Sequence, residues 1–364
     1  MDRHDVSETV TAENVAQLHQ ADLKIQDKYK CRGLTYWFDE NRKTAFCLIE
    51  APNKEAIKEM HDHAHGEVPH RIIEVDDSIV ESFLGRIEDP VKAQKTELNI
   101  INDPAFRVIM VIETSDYLNR LKANQFNIFT QKFHHSALKT LKQFRGRIVR
   151  KDNNSYLVSF KSVSDAVLCA LTVQFKFKYV TSKFDPINRQ LKIALSSGIP
   201  ITDKNNIFEE AIILATRMCE VIKEQLVISE EVKSLYESEN RNTTIDETLI
   251  RVLKPSEEKF LTHLMDYIES NWNKPDFNVV SFSKELGYSK SQLYRKLMKL
   301  TGKSSNNFLR EFRLHKALSL LHKHEGNISE IAYETGFNSP AYFSKCFFDK
   351  YGVLPSKYLQ QHII

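Results

Sequence analysis

At 364 residues the chain is too long for one ordinary domain, and two or three are expected. Its net charge of +3 conceals a split: residues 1–90 hold 11 Lys/Arg against 19 Asp/Glu, a net of −8, which excludes nucleic acid as a partner of the front. Five scattered cysteines exclude a disulfide framework, Met1-Asp2-Arg3-His4-Asp5 does not read as a signal peptide, and no stretch approaches the roughly 18 apolar residues of a membrane span, so a cytoplasmic protein without a membrane partner is expected.

The first 85 residues read as a small α+β unit. A strand near residues 1–6 precedes a helix over Thr11–Lys30, in which Thr11 caps and Val15, Leu18, Leu23 and Ile25 give an apolar face. Gly33–Phe38 and Thr44–Ile49 form a hairpin around Asp39-Glu40-Asn41-Arg42. A second helix over Asn53–His65 leads to an extended run from His70 to Val75. The order strand-helix-strand-strand-helix-strand is ferredoxin-like.

Six of the 13 histidines fall in this unit: His4, His19, His61, His63, His65 and His70. His61 and His65 lie four apart on one helix, so they project from one face about a turn apart, the spacing a chelate needs. Cys47 adds a thiolate from mid-strand, and His4 and His19 come from other elements. Imidazole with thiolate suits nickel, zinc or copper. His63 and His70 read as solvated surface residues. The pattern Asp2-Arg3-His4-Asp5, His19 with Asp22-Leu23, Tyr36-Trp37, Phe46-Cys47-Leu48-Ile49-Glu50-Ala51-Pro52 and His61 through His65-Gly66 resembles a family of small ferredoxin-like proteins for which nickel binding is described. The resemblance implies nickel, or another transition metal, held by His4, His19, Cys47, His61 and His65. A metal store or an oligomerisation unit is the other use of such a domain.

Residues 86–105 mix charge with Pro90 and Pro104 and read as a linker. From 106 to 235 a second α/β unit is expected. Its elements are a strand Arg107–Glu113, a helix Leu118–Phe144, a hairpin of Arg147–Arg150 with Tyr156–Phe160, a helix Val163–Phe177, a strand Leu191–Ser196, a helix Phe208–Ile222 and a strand Leu226–Ser229. Phe144-Arg145-Gly146-Arg147, Ser197-Gly198-Ile199-Pro200 and Ala215-Thr216-Arg217-Met218 resemble motifs of class III nucleotide cyclases. In that family two aspartates hold two metals; the first falls near Glu113, and the second falls in a hairpin that here reads Asn153-Asn154-Ser155. A carboxamide supplies no negative charge for magnesium. The family's asparagine aligns with Ile213 and its arginine with Arg217, so the middle unit is expected to be a scaffold, a homodimer surface or a sensor of a small-molecule or nucleotide effector, and not an enzyme.

Residues 236–256 read as a second linker, and 257–364 as an all-helical region opened by Phe260, Leu264 and Ile268. A helix-turn-helix appears there twice. The first copy runs from Phe282 through Gly287 to Leu293, Leu297 and Gly302; the second runs from Ile331 through Gly336 to Phe343, Phe347 and Gly352. Leu293, Leu297 and Leu300 anchor the first reading helix, which leaves Ser289, Lys290, Ser291, Gln292, Arg295 and Lys296 for a groove. Phe343, Phe347 and Tyr351 anchor the second, leaving Ser339, Ala341, Tyr342 and Lys345. One long helix, Asn307–Lys323, joins them. Lys290–Lys323 carries nine Lys/Arg against one acid, Glu311, a net of +8 that suits phosphate contact, with Lys303 as a phosphate ligand. Ala332, Gly336-Phe337, Tyr342-Phe343-Ser344-Lys345, Phe347 and Gly352 through Pro355 resemble the DNA-binding domain of AraC/XylS regulators. The resemblance implies double-stranded DNA as partner and a transcription regulator, which the front unit's histidines are expected to make responsive to metal. A residual nucleotide cyclase, or a nucleotide sensor, with a DNA-binding tail is the alternative.

Overall fold

The computed structural model describes residues 1–90, 98–116, 123–152, 154–181, 189–241, 243–274 and 276–361. In the front unit β1 (Asp2–Asp5), β2 (Arg32–Asp39), β3 (Thr44–Glu50) and β4 (Arg71–Ile72) form an antiparallel sheet in the order β2-β3-β1-β4, with α1 (Ala12–Ile25) and α2 (Lys54–His65) as crossovers. This is the expected ferredoxin-like arrangement. The caps are local chemistry: Thr11 and Asn14 exchange a capping box, and Asn53 accepts from Ala56 N. The first helix is shorter than expected because Gln26–Tyr29 tightens into a 3₁₀ turn before Lys30 at φ 54. Within the run His70–Val75 the strand is Arg71–Ile72, with His70 N and Ile73 N also donating to Arg3 O and Met1 O. A helix not foreseen, α3 (Asp77–Leu84), follows.

The expected linker 86–105 is docked where it is described. Arg86 donates to Thr35 and to Tyr36 O, Ile101 N donates to the Tyr36 hydroxyl, and Arg107 donates to Phe83 O and Leu84 O. Residues 91–97 lie outside the described residues.

The middle unit contains β5 (Arg107–Asp116), α4 (Ala123–Gln143), β6 (Arg147–Lys151), β7 (Ser155–Phe160), α5 (Val163–Thr181), β8 (Arg189–Gly198), α6 (Glu209–Val221), β9 (Leu226–Ser229), α7 (Glu230–Glu239) and β10 (Arg251–Leu253). The sheet order β10-β9-β8-β5-β7-β6 repeats the front unit's winding over β8-β5-β7-β6 and then extends it in parallel. The start of the expected helix Leu118–Phe144 lies outside the described residues up to 122, and so does Asn153. The expected second linker holds a strand: Arg251, Val252 and Leu253 pair with Val227, Ile228 and Ser229. Three residues carry no readable periodicity, and burial of Val252 and Leu253 fixes them.

The C-terminal region is helical: α8 (Pro255–Asn271), α9 (Val279–Glu285), α10 (Lys290–Thr301), α11 (Ser305–His322), α12 (Ile328–Glu334), α13 (Pro340–Tyr351) and α14 (Pro355–Gln361). The turn glycines Gly287 and Gly336 both have positive φ. Gly336 also admits close approach, since a Cβ there would lie 2.9 Å from Trp272 O. The reading helices α10 and α13 have 12 residues each, a serine N-cap and a left-handed glycine C-cap.

The apolar cores are divided unequally. Phe282, Leu293 and Leu297 of the first reader belong to one continuous cluster with Trp37 and Phe83 at the front and Met218 in the middle, whereas Phe343, Phe347 and Tyr351 of the second reader pack separately with Leu314 and Leu321. Among the described residues no helix is long and apolar enough to cross a membrane.

Candidate metal centre and DNA-reading helices

Strand alternation in β1 sends Asp2 and His4 toward the helices. The Asp2 carboxylate is fully buried; it accepts from Cys47 N at 3.0 Å, its Oδ2 lies 3.1 Å from His61 Nε2, and its Oδ1 lies 3.6 Å from His4 Nε2. From α1, Asp22 Oδ1 approaches His61 Nδ1 at 3.0 Å and His65 Nε2 at 3.1 Å. Two donor sets result, Asp2 with His4 and Cys47, and Asp22 with His61 and His65, each with its donor atoms within 4.8 Å of one another. His61 joins them.

Electrostatics bind the cluster together. Burial pulls the His61 imidazolium down, but the Asp2 and Asp22 carboxylates override it and raise the group to about 10. Burial opposes ionisation of Asp2, yet contacts with His4 and His61 hold it well below the usual carboxylate range. Burial, then the charges of Asp2 and Asp22, push the Cys47 thiol up. A divalent cation fits the chemistry of either set: Asp22, His61 and His65 could hold one in place of a His61 proton, and Asp2, His4 and Cys47 could hold one that would favour the Cys47 thiolate. His4 Nε2 and Asp22 Oδ1 are buried without a well-directed hydrogen bond, as cation donors would be.

Of the expected ligands, His4, Cys47, His61 and His65 converge. His19 lies outside both sets: it is buried against Tyr36, ring centroids 4.9 Å apart, and burial lowers its pKa. Its place is taken by Asp22, three residues on along the same helix. Asp2 and Asp22 were not among the expected ligands; their signal was the alternation of Asp2 with His4 and the spacing of Asp22 from His19. His63 and His70 are exposed, with His63 Nδ1 2.8 Å from Glu59 O.

On α10, Ser289 caps Gln292 N at 3.2 Å and Gln292 Oε1 accepts from Ser289 N at 2.9 Å. Lys290, Ser291 and Arg295 are exposed, as is Tyr294, which sequence reasoning passed over. Two cations assigned to DNA are also engaged internally. Lys296 sits over the rings of Tyr288 and Phe260 at 4.9 and 5.2 Å, and Lys303 pairs with Glu311 at 2.9 Å. Charge counting could not show this, because Phe260 and Glu311 lie on other helices and Tyr288 in the turn before α10. On α13, Ser339 accepts from Tyr342 N, and Ala341, Tyr342 and Lys345 are exposed.

In the middle unit, burial, then the nearby Glu220 charge, push the Glu113 carboxyl up to about 7. Asn154 is exposed, and its backbone oxygen accepts from Thr114 N at 2.8 Å. Arg217 is turned away from both, toward α8.

Residues 282–361 match the family model described as a helix-turn-helix domain, over both readers. The C-terminal region is a helix-turn-helix domain. Residues 1–75 match the family described as nickel responsive protein SCO4226-like, over the whole front sheet. Among known proteins, histidine kinase P4 of Formosa agariphila is 40% identical over 106 residues, 29% of this chain, and HTH-type transcriptional regulator MtrA of Neisseria gonorrhoeae is 32% identical over 118 residues, 32% of this chain. The matched stretches span 8% and 38% of those relatives. The middle unit is similar in structure to adenylyl cyclase CyaB from P. aeruginosa, at 14% identity over 36% of this chain and 81% of that one, with a TM-score of 0.31.

Proposed function

We propose that this chain is a sequence-specific DNA-binding transcription regulator that answers to nickel or a similar transition metal. One observation carries the reading: two reading helices of equal length, held by matching caps in an AraC-type domain, expose Lys290, Ser291 and Arg295 on one and Ala341, Tyr342 and Lys345 on the other. Such helices lie in successive major-groove segments, with base edges read by the exposed side chains and phosphates by the flanking cations.

Asp2, His4, Cys47, Asp22, His61 and His65 would hold the metal, which supplies a fixed positive charge in place of a titratable one. The protein's part is to bury the donors and to keep the imidazoles aimed at them. A metal governs DNA affinity only by binding one state of the protein more tightly than the other, and the measured difference is the coupling free energy. Nucleotide turnover is not part of the reading. Asn154 offers no carboxylate, and Arg217 is spent on Asp266 and Glu269.

Fluorescence anisotropy of the full chain on a selected promoter duplex and on a scrambled one, with and without nickel, tests the reading. Preference for the promoter supports DNA regulation, and a change of that affinity with nickel supports metal response.

A further inference from the structure

Helix α6 is tied to the front unit through the loop before it, to α8 from its own length, and to the first reader through Lys223 just after it. At its N-terminal end the loop 200–208 is gripped from the front sheet. Arg3 Nη1 donates to Ile201 O at 3.1 Å, Arg71 Nη2 donates to Asp203 O and Asn205 Oδ1 at 3.2 Å each, and Phe208 rests on Phe83 with centroids 4.9 Å apart. Arg3 stands in β1 between Asp2 and His4, so the strand that presents two donors of the front cluster also holds this loop. Midway, Arg217 leaves α6 for α8: its guanidinium lies 2.6 Å from Asp266 and 2.8 Å from Glu269. At the C-terminal end Lys192 donates to the carbonyls of Ile222, Lys223 and Glu224, and Lys223 N donates to Leu300 O in the last turn of α10.

The energetic weights of these contacts differ. The Arg217 side chain is 9% exposed while its two acids are 59% and 43% exposed, so the charge that suffers burial is the arginine, and the acids offset that cost. Helices move as rigid elements, and a displacement at one end of a 13-residue helix is delivered to the other. The second reader packs separately.

We propose that α6 carries the state of the front cluster to the first reader, with Arg217 as the strut that makes α8 follow α6. This rests on the metal-responsive reading above. The strut acts through position and touches neither metal nor DNA.

The test compares the full chain with Arg217→Gln and with the surface double variant Asp266→Asn/Glu269→Gln, which leaves the buried arginine in place. Two readouts are taken with nickel and without: hydrogen exchange of α8 and α10, and promoter affinity. In the parent chain nickel is expected to change exchange in α8 and α10 and to change promoter affinity. In both variants nickel binding stays within about twofold of the parent, while the nickel-dependent affinity ratio falls to within about twofold of one. A variant that keeps the parent's ratio overturns the strut and leaves the regulator reading intact. A parent chain whose exchange in α8 responds to nickel while its DNA affinity does not supports transmission and defeats the metal-responsive reading. No nickel-dependent exchange in α8 or α10 of the parent overturns the proposal.

Discussion

His61 stands between two carboxylates, its Nε2 3.1 Å from Asp2 Oδ2 and its Nδ1 3.0 Å from Asp22 Oδ1. Both ring nitrogens are thereby committed to acids on different elements, β1 and α1, and the ring ties helix α2 to each. The same geometry makes the imidazole a charged strut without metal and a donor with it.

A pH dependence follows for the metal-free chain. His61 titrates near 10 folded against an ordinary value of 6.5, so the folded form holds its proton more tightly. The stability this contributes is fully present below pH 6.5 and is lost as pH rises toward 10. Protection factors of β1 and α2, which take out the base catalysis of exchange itself, are expected to fall steadily over that window, and His61→Gln is expected to flatten the trend.

Metal affinity separates the buried donors from the surface histidines. Asp2→Asn and Asp22→Asn each remove a shared carboxylate, and a loss of roughly 10-fold to 100-fold in nickel affinity is expected. His63→Ala, on the exposed side of α2, is expected to change affinity by less than about twofold, with competition against a coloured chelator as the measurement.

The readers divide their cations by partner. Arg295→Ala is expected to cost about 1–3 kcal/mol on a preferred site if its guanidinium reaches a base, and far less on random duplex. Lys290→Ala is expected to weaken both duplexes alike and to lower the salt slope by about one. Lys303→Ala is expected to leave the salt slope unchanged, because its ammonium is held by Glu311. Anisotropy titrations across a salt series distinguish the three.

The two turn glycines are expected to differ in thermal denaturation. Gly287→Ala meets nothing within 4 Å, so its cost is the left-handed backbone alone, about 1 kcal/mol. Gly336→Ala adds a clash at 2.9 Å with the Trp272 carbonyl and the Arg313 guanidinium, and a larger loss is expected.

What the sequence revealed was local. The cap at Thr11 rests on a contact three residues away, and the anchors Leu293, Leu297, Phe343 and Phe347 rest on helical spacing, so both could be read directly. What it hid was distant. Asp2 meets His61 across 59 residues, and β10 exists only because β9 lies beside it. Lys296 is turned back by the Phe260 and Tyr288 rings, which no charge count anticipates. His19 was misplaced for the same reason, since its neighbour Tyr36 comes from β2.

The central claim is that the AraC-type region grips a chosen duplex and that the front cluster governs the grip. The most direct measurement is the affinity of the full chain for a selected promoter and for its scrambled counterpart, at saturating nickel and after metal removal. The account predicts at least about tenfold preference for the promoter and a clear difference between the two metal states. Equal affinity for both duplexes, or one affinity regardless of nickel, contradicts it.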